Sequence, residues 1–150
     1  PLHPCQCTPH QVQIYRSRVS GPLMDRIDIH IEVPAVKFRE IAAEAPAEPS
    51  AAMRERVTRA RTTQQQRFRA EGIYANAQMK PRHIRKYCRI TDDSLRLLET
   101  AMNRLGLSAR AYNRILKVSR TIADIEGQDD ISSAHISEAI QYRSLDRRVS

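Results

Sequence analysis

The fold class predicted by this sequence is all-α, a helical bundle preceded by a short helix–strand remnant, and three observations predict it. After residue 50, apolar residues recur at three- and four-residue spacing almost continuously. Four successive segments there open in the same way, with an apolar residue placed to meet another five positions later across the helix start: Met79 and Ile84, Ile90 and Leu95, Leu107 and Tyr112, Ile131 and Ile136. The third observation is scarcity. The 150 residues hold four glycines, no tryptophan and a single convincing alternating stretch, so little of the chain reads as sheet.

Residues 1–20 begin PLHPCQC and run into a short helix opened by Thr8 and Pro9, through Val12, Ile14 and Tyr15 to Arg18. Cys5 and Cys7 supply at most half of a four-ligand zinc site, with His3 and His10 as further donors nearby. The usual ligand spacing is absent, and two ordinary thiols are the other reading. In SGPLMDRIDIHIEVP, Ile27, Ile29, Ile31 and Val33 alternate with Asp28, His30 and Glu32, which predicts a strand. A lone strand leaves its edge groups unpaired, so its sheet is expected elsewhere and the chain is expected to be a piece of a larger protein. Residues 35–49 are rich in proline and alanine and read as a linker, apart from a turn of helix over 37–43.

Past the linker everything reads as helix. Ser50 is expected to cap a long helix reaching about Phe68, with Met53, Val57, Ala60 and Phe68 as a weak apolar line. Arg54, Arg56, Arg59, Arg61, Arg67 and Arg69 lie on its other faces, either a solvated surface or one that meets nucleic acid. Pro81 opens a short helix through Ile84, Tyr87 and Cys88, the last expected as a small buried hydrophobe. Thr91 caps a helix whose buried stripe is Leu95, Leu98, Met102 and Leu105, before Gly106. Ser108 caps the next, which Gly127 ends. Ala111, Ile115, Val118, Ile122 and Ile125 recur along one side of it, and Arg110, Arg114 and Lys117 along the opposite side. Ser132 caps a last helix that turns Ile136, Ala139 and Ile140 inward. The organisation expected is thus residues 1–34 as the end of a preceding domain, poorly ordered without their sheet, a linker over 35–49, and an autonomous bundle over 50–150.

Charge narrows the function. With 25 Lys+Arg against 17 Asp+Glu, the net charge is +8 and the isoelectric point near 9.9, which favours an anionic partner. No stretch approaches the roughly 18 consecutive apolar residues of a membrane span, and no signal peptide opens the chain, so a cytoplasmic protein without a membrane partner is expected. Three cysteines make no disulfide framework. No Walker A loop, paired acidic metal site or nucleophile with an adjacent base is present, so these 150 residues alone are not expected to catalyse a reaction.

Two arginines nevertheless suit phosphate chemistry. Arg26 sits just before the predicted strand, where a rigid neighbour would hold its fork for a transferring phosphoryl group; a surface pair with Asp25 or Asp28 is the plainer alternative. Arg110 stands at the second position of its helix, against the macrodipole by a few tenths of a kcal/mol, and a bound phosphate would offset that. A different function class also fits: Thr91–Leu105, the Gly106 turn and the basic helix have the outline of a helix-turn-helix, with Arg110, Asn113, Arg114 and Lys117 meeting the major groove.

The blocks SGPLMDRIDIHIEVP, RKYCRI, GLSARAYNRILKVSRTIADIEG and SEAIQYRSLDRR together resemble the C-terminal part of bacterial magnesium-chelatase-like AAA+ ATPases of the ComM/YifB type. The resemblance runs from Cys5 to Arg147, and a more distant one extends to the MCM helicases. It implies an AAA+ core carrying the Walker motifs and a C-terminal helical lid, assembly of the protein with itself into a hexameric ring, ATP with Mg2+, and DNA branch migration. Under it Arg26 is the arginine finger acting in trans and Arg110 the sensor-2 residue, with Arg114 one turn on as the second nucleotide-binding candidate. A further cysteine pair upstream of Cys5 and Cys7 would complete the zinc site. DNA as partner would meet Arg54, Arg56, Arg59, Arg61 and Lys117.

Overall fold

The computed structural model describes residues 5–36 and 47–143. Among them seven α-helices form: α1 (Pro9–Ser17), α2 (Gly21–Met24), α3 (Ser50–Arg67), α4 (Pro81–Tyr87), α5 (Asp92–Leu105), α6 (Ala109–Glu126) and α7 (Ser133–Gln141), with a 3-10 turn at Asn76–Gln78. Local chemistry sets their starts. Thr8, Ser20, Thr91, Ser108 and Ser132 each accept a backbone N–H of the turn that follows, satisfying a donor the helix leaves orphaned. Gly106 and Gly127, at φ of 62° and 72°, end α5 and α6 in the left-handed region where a side chain would be strained. Ser50 is not the cap expected of it. Pro49 takes that position, its fixed φ of −70° and ψ of 144° suiting the extended entry, and Ser50 is the first helical residue.

Helix α6 is the centre of the bundle, packed by α7, α3, α4 and the 3-10 turn, while α5 lies against α7. Phe68, Met79, Ile84, Cys88, Leu98, Ile115, Leu116, Ile131 and Ile136 form the core, and Phe68 meets Tyr87 edge-on at 5.3 Å. The loops before α5 and α7 are tied by a parallel bridge between Ile90 and Ile131. The apolar stripes are shorter than their spacing suggested: Leu95, Ile125, Met53 and Val57 are all more than 40% exposed, and Leu97 packs on the core instead. Helix α3 buries only Ala60 and Gln64, both in its second half.

No β-strand forms among the described residues, which corrects the expectation for residues 27–33. The alternation does not produce one buried and one exposed face: Ile27, Ile29, Ile31 and Val33 are 40–84% exposed, and of the residues between them His30 is buried while Asp28 and Glu32 are exposed. The reason is the single register the bundle offers. The His30 N–H donates to the Tyr142 carbonyl at 2.7 Å at the end of α7, which seats His30 against the bundle, and no neighbouring strand among the described residues covers the isoleucines. The turn expected at 37–43 lies outside the described residues.

A buried polar cluster joins α3, the 3-10 turn and α6. Asp124, with a side chain wholly out of solvent, accepts from Arg67 Nη1 and Nη2 at 2.8 and 2.5 Å, from Asn76 Nδ2 at 2.7 Å and from Arg120 Nε at 3.1 Å. The remaining Arg120 donors reach the Gln128 and Asp129 carbonyls, capping the loop after α6. A smaller cluster centres on Glu71, which accepts from Lys86 Nζ at 2.7 Å and Tyr87 OH at 2.8 Å, with His83 Nε2 at 3.5 Å. The Lys86 and Tyr87 hydrogen bonds pull the Glu71 carboxyl from the ordinary 4.5 down to about 2. Because the folded value is depressed, the stability this contact contributes is complete above pH 4.5 and is lost as pH falls through about 2. Urea midpoints measured from pH 6 to pH 2 are expected to fall across that window, and Glu71→Gln is expected to lower the midpoint at pH 6 while flattening the decline.

Candidate functional site

The segment around Arg26 is shaped by its own turn and then fastened to the bundle. Ser20 caps α2 through the Leu23 N–H, and the Arg26 and Ile27 amides close onto the Leu23 and Met24 carbonyls at 2.9 and 3.1 Å. This turn delivers two carboxylates to the start of α6. Asp25 Oδ1 accepts from Ser108 Oγ at 2.7 Å, Asp25 Oδ2 lies 3.3 Å from Arg110 Nη1, and Asp28 pairs with Arg114. Ser108 keeps its capping role at the same time, accepting the Ala111 N–H at 3.2 Å. Below these contacts Arg143, immediately after α7 and 1% exposed, donates through Nη1 to the Ile27 carbonyl and holds Nη2 3.9 Å from Asp25 Oδ1.

Arg26 itself is exposed, and its side chain makes no ion pair or hydrogen bond among the described residues. The surface pair with Asp25 or Asp28 does not form, because Arg110 and Arg114 hold those carboxylates. Arg110 remains half exposed, so its pair with Asp25 is worth at most about 1 kcal/mol. A hydroxyl and two guanidinium groups at a helix start form a donor set that takes oxyanions, here carboxylates and by the same geometry phosphate oxygens. That set fits nucleotide phosphate. It does not serve Mg2+, and among the described residues no group of three or more His, Cys, Asp or Glu side chains is placed to hold a metal.

The other candidates fare differently. Lys117 Nζ donates to the Ala77 carbonyl at 2.8 Å, and partial burial, with Arg114 adding to it, lowers its pKa. Three of the four side chains that a helix-turn-helix would lay in a major groove are therefore engaged within the chain. On α3, Arg56 pairs with Glu48 and Arg59 with Glu55, while Arg54 and Arg61 are exposed without an acidic partner among the described residues. Cys5 and Cys7 are exposed thiols, with Cys5 lowered by the backbone and side chain of Cys7, and Cys7 raised in turn. His3 lies outside the described residues. Cys88 is buried 4.0 Å from Met79 Sδ, and burial pushes its thiol up to about 11, so it is inert at neutral pH.

Two features escaped the sequence reading. Arg143 follows Ile136 and Ile140 at helical spacing, continuing their inward line two residues past the end of α7, and that spacing is the signal that it is buried. Around α4, every exposed position from Lys80 to Arg89 except Pro81 is cationic, namely Lys80, Arg82, Arg85, Lys86 and Arg89, and only Lys86 has an acidic partner among the described residues.

Residues 47–143 thus form a capped all-α bundle whose central helix begins in an oxyanion-holding set. The family described as magnesium chelatase, subunit ChlI C-terminal, matches residues 47–143, and that described as magnesium chelatase, subunit ChlI, matches residues 1–41. The chain belongs to this magnesium-chelatase-like AAA+ family, in its ComM/YifB branch. Over 143 residues it is 43% identical to protein YifB of Salmonella typhimurium, covering 95% of this chain and 28% of that protein. It is 41% identical over 141 residues to competence protein ComM of Haemophilus influenzae, covering 93% of this chain and 27% of that protein. YifB of Escherichia coli is 39% identical over 143 residues, covering 95% and 28%. The chain thus spans little more than a quarter of the length of these relatives. Among the described residues no helix is long and apolar enough to cross a membrane.

Proposed function

We propose that the chain is the C-terminal part of a cytoplasmic, ATP-driven DNA motor that assembles into a hexameric ring, with residues 1–34 ending the AAA+ core, 35–49 linking and 50–150 forming the lid. Arg26 acts in trans on the nucleotide of a neighbouring subunit. Arg110 is the sensor-2 residue, and Arg114 supports it. The observation that carries this reading is the seating of Asp25 across Ser108 and Arg110, with Asp28 on Arg114, beside an Arg26 side chain that nothing in the described chain engages. ATP with Mg2+ supplies the phosphoryl group. The chain's own residues bind its oxygens and offset the charge that develops on them. The test is ATP turnover by the full-length protein carrying Arg26→Ala or Arg110→Ala: loss of hydrolysis with ring assembly preserved supports the assignment, and near-normal turnover in both overturns it.

DNA contact by the lid falls on exposed cations that no carboxylate among the described residues neutralises, Arg54 and Arg61 on α3 and Lys80, Arg82, Arg85 and Arg89 around α4. Titrating the chain with duplex and forked DNA at several salt concentrations is expected to give weak, salt-sensitive binding. Arg82→Gln, Arg85→Gln and Arg89→Gln together should flatten the slope of log affinity against log salt by about 2 to 3, at roughly 0.9 per phosphate contact. Tight, sequence-selective binding would instead support the helix-turn-helix reading.

A further inference from the structure

We propose that Arg143 is the positioning residue of Arg26: it holds the turn from which Arg26 projects, without itself reaching a nucleotide. The inference rests on the reading of Arg26 as an arginine that acts on a neighbour's phosphate. Its basis is where the Arg143 contacts fall. Nη1 donates to the carbonyl of Ile27, the residue after Arg26, and Nη2 faces the carboxylate of Asp25, the residue before it. The Ile27 flank of Arg26 is thereby hydrogen-bonded to one buried guanidinium at the end of α7, and the Asp25 flank lies within ion-pair range of it at 3.9 Å. The neighbouring Tyr142 carbonyl adds a third tie through the His30 N–H at 2.7 Å, and Ser108 and Arg110 complete the hold on Asp25.

Burial explains why Arg143 positions the turn and does not act on phosphate. At 1% exposure it cannot meet a ligand from outside, and a guanidinium taken this far from water requires fixed acceptors. Among the described residues its acceptors include Ile27 O, with Asp25 at longer range, so the docked turn supplies part of what the buried guanidinium requires. Docking is favoured to that extent, while Arg26 between the two contacts reaches outward. An arginine that stabilises a transferring phosphoryl group is sensitive to such anchoring, because a displacement of about 1 Å can cost roughly 10²-fold in rate.

Two measurements test this. In the full-length ATPase, Arg143→Met is expected to lower kcat about 10²-fold with the KM for ATP and ring assembly close to those of the parent. In an Arg26→Ala background the same change is expected to add almost nothing, since a misplaced group that is already absent cannot be misplaced again. Arg143→Lys keeps the charge but reaches only one acceptor, and should fall between parent and Arg143→Met. In the 150-residue chain, hydrogen exchange is expected to show loss of His30 amide protection on Arg143→Met while the Ile115 and Ile122 amides in α6 stay protected. An Arg143→Met loss as large in the Arg26→Ala background as in the parent overturns the proposal, as does a His30 amide that stays protected. Normal turnover of Arg26→Ala alone would instead remove the reading of Arg26, leaving the exchange result to decide whether Arg143 holds the turn.

Discussion

Arg26→Ala in the full-length protein is expected to slow ATP hydrolysis by about 10³- to 10⁵-fold, the range over which arginine fingers act in phosphoryl transfer. The change removes an exposed side chain with no intrachain partner among the described residues, so its effect on unfolding free energy should stay within about 0.5 kcal/mol. Arg110→Ala is expected to lose hydrolysis too, with a different signature: among the described residues it also leaves Asp25 with Ser108 and Arg143. Arg110→Lys restores the charge without the planar fork and should recover nucleotide binding better than turnover. Steady-state turnover, nucleotide affinity and size-exclusion chromatography on the three variants separate these outcomes. A ring that falls apart in Arg26→Ala would show that the side chain serves assembly and not hydrolysis.

Asp124→Ala is expected to destabilise the lid by about 3–5 kcal/mol, the cost of removing one partner from a buried ionic network. The carboxylate is the common acceptor of Arg67, Arg120 and Asn76, and no other acidic group joins this cluster among the described residues. Among the described residues its loss leaves Arg120 with the Gln128 and Asp129 carbonyls and Arg67 with Asn76 and the Phe68 ring, so two charges lose their counter-ion together. That is a large part of the 5–15 kcal/mol by which domains are usually stable. Urea denaturation of the 150-residue chain measures it directly. A loss below about 1 kcal/mol would show that solvent reaches the cluster and screens it.

What the sequence made legible follows the range of the interactions involved. The caps at Thr91, Ser108 and Ser132 and the stops at Gly106 and Gly127 act within one turn of their own position, and each is found where its local chemistry puts it. The alternation of Ile27 to Val33 was equally visible, but a strand is completed by a partner, and periodicity says nothing of one. Leu95 and Ile125 lie at the rims of their helical stripes, where burial depends on how far the facing helix extends. The candidate site was legible as single residues and not as an arrangement: 85 positions separate Arg110 from Asp25, and nothing local announces that pair. Asp124 shows the same limit. Of its donors only Arg120, four residues away on the same helix, is near it in sequence.

The outward-facing Ile27, Ile29, Ile31 and Val33 carry a practical consequence. They form an aliphatic rim next to backbone groups that a ladder from another copy can satisfy, on a polypeptide of net charge +8. Like-charge repulsion keeps copies apart at low ionic strength, and added salt weakens that repulsion while leaving the rim as sticky as before. The isolated polypeptide should therefore grow less monodisperse as salt rises, the opposite of the trend expected for its contacts with DNA.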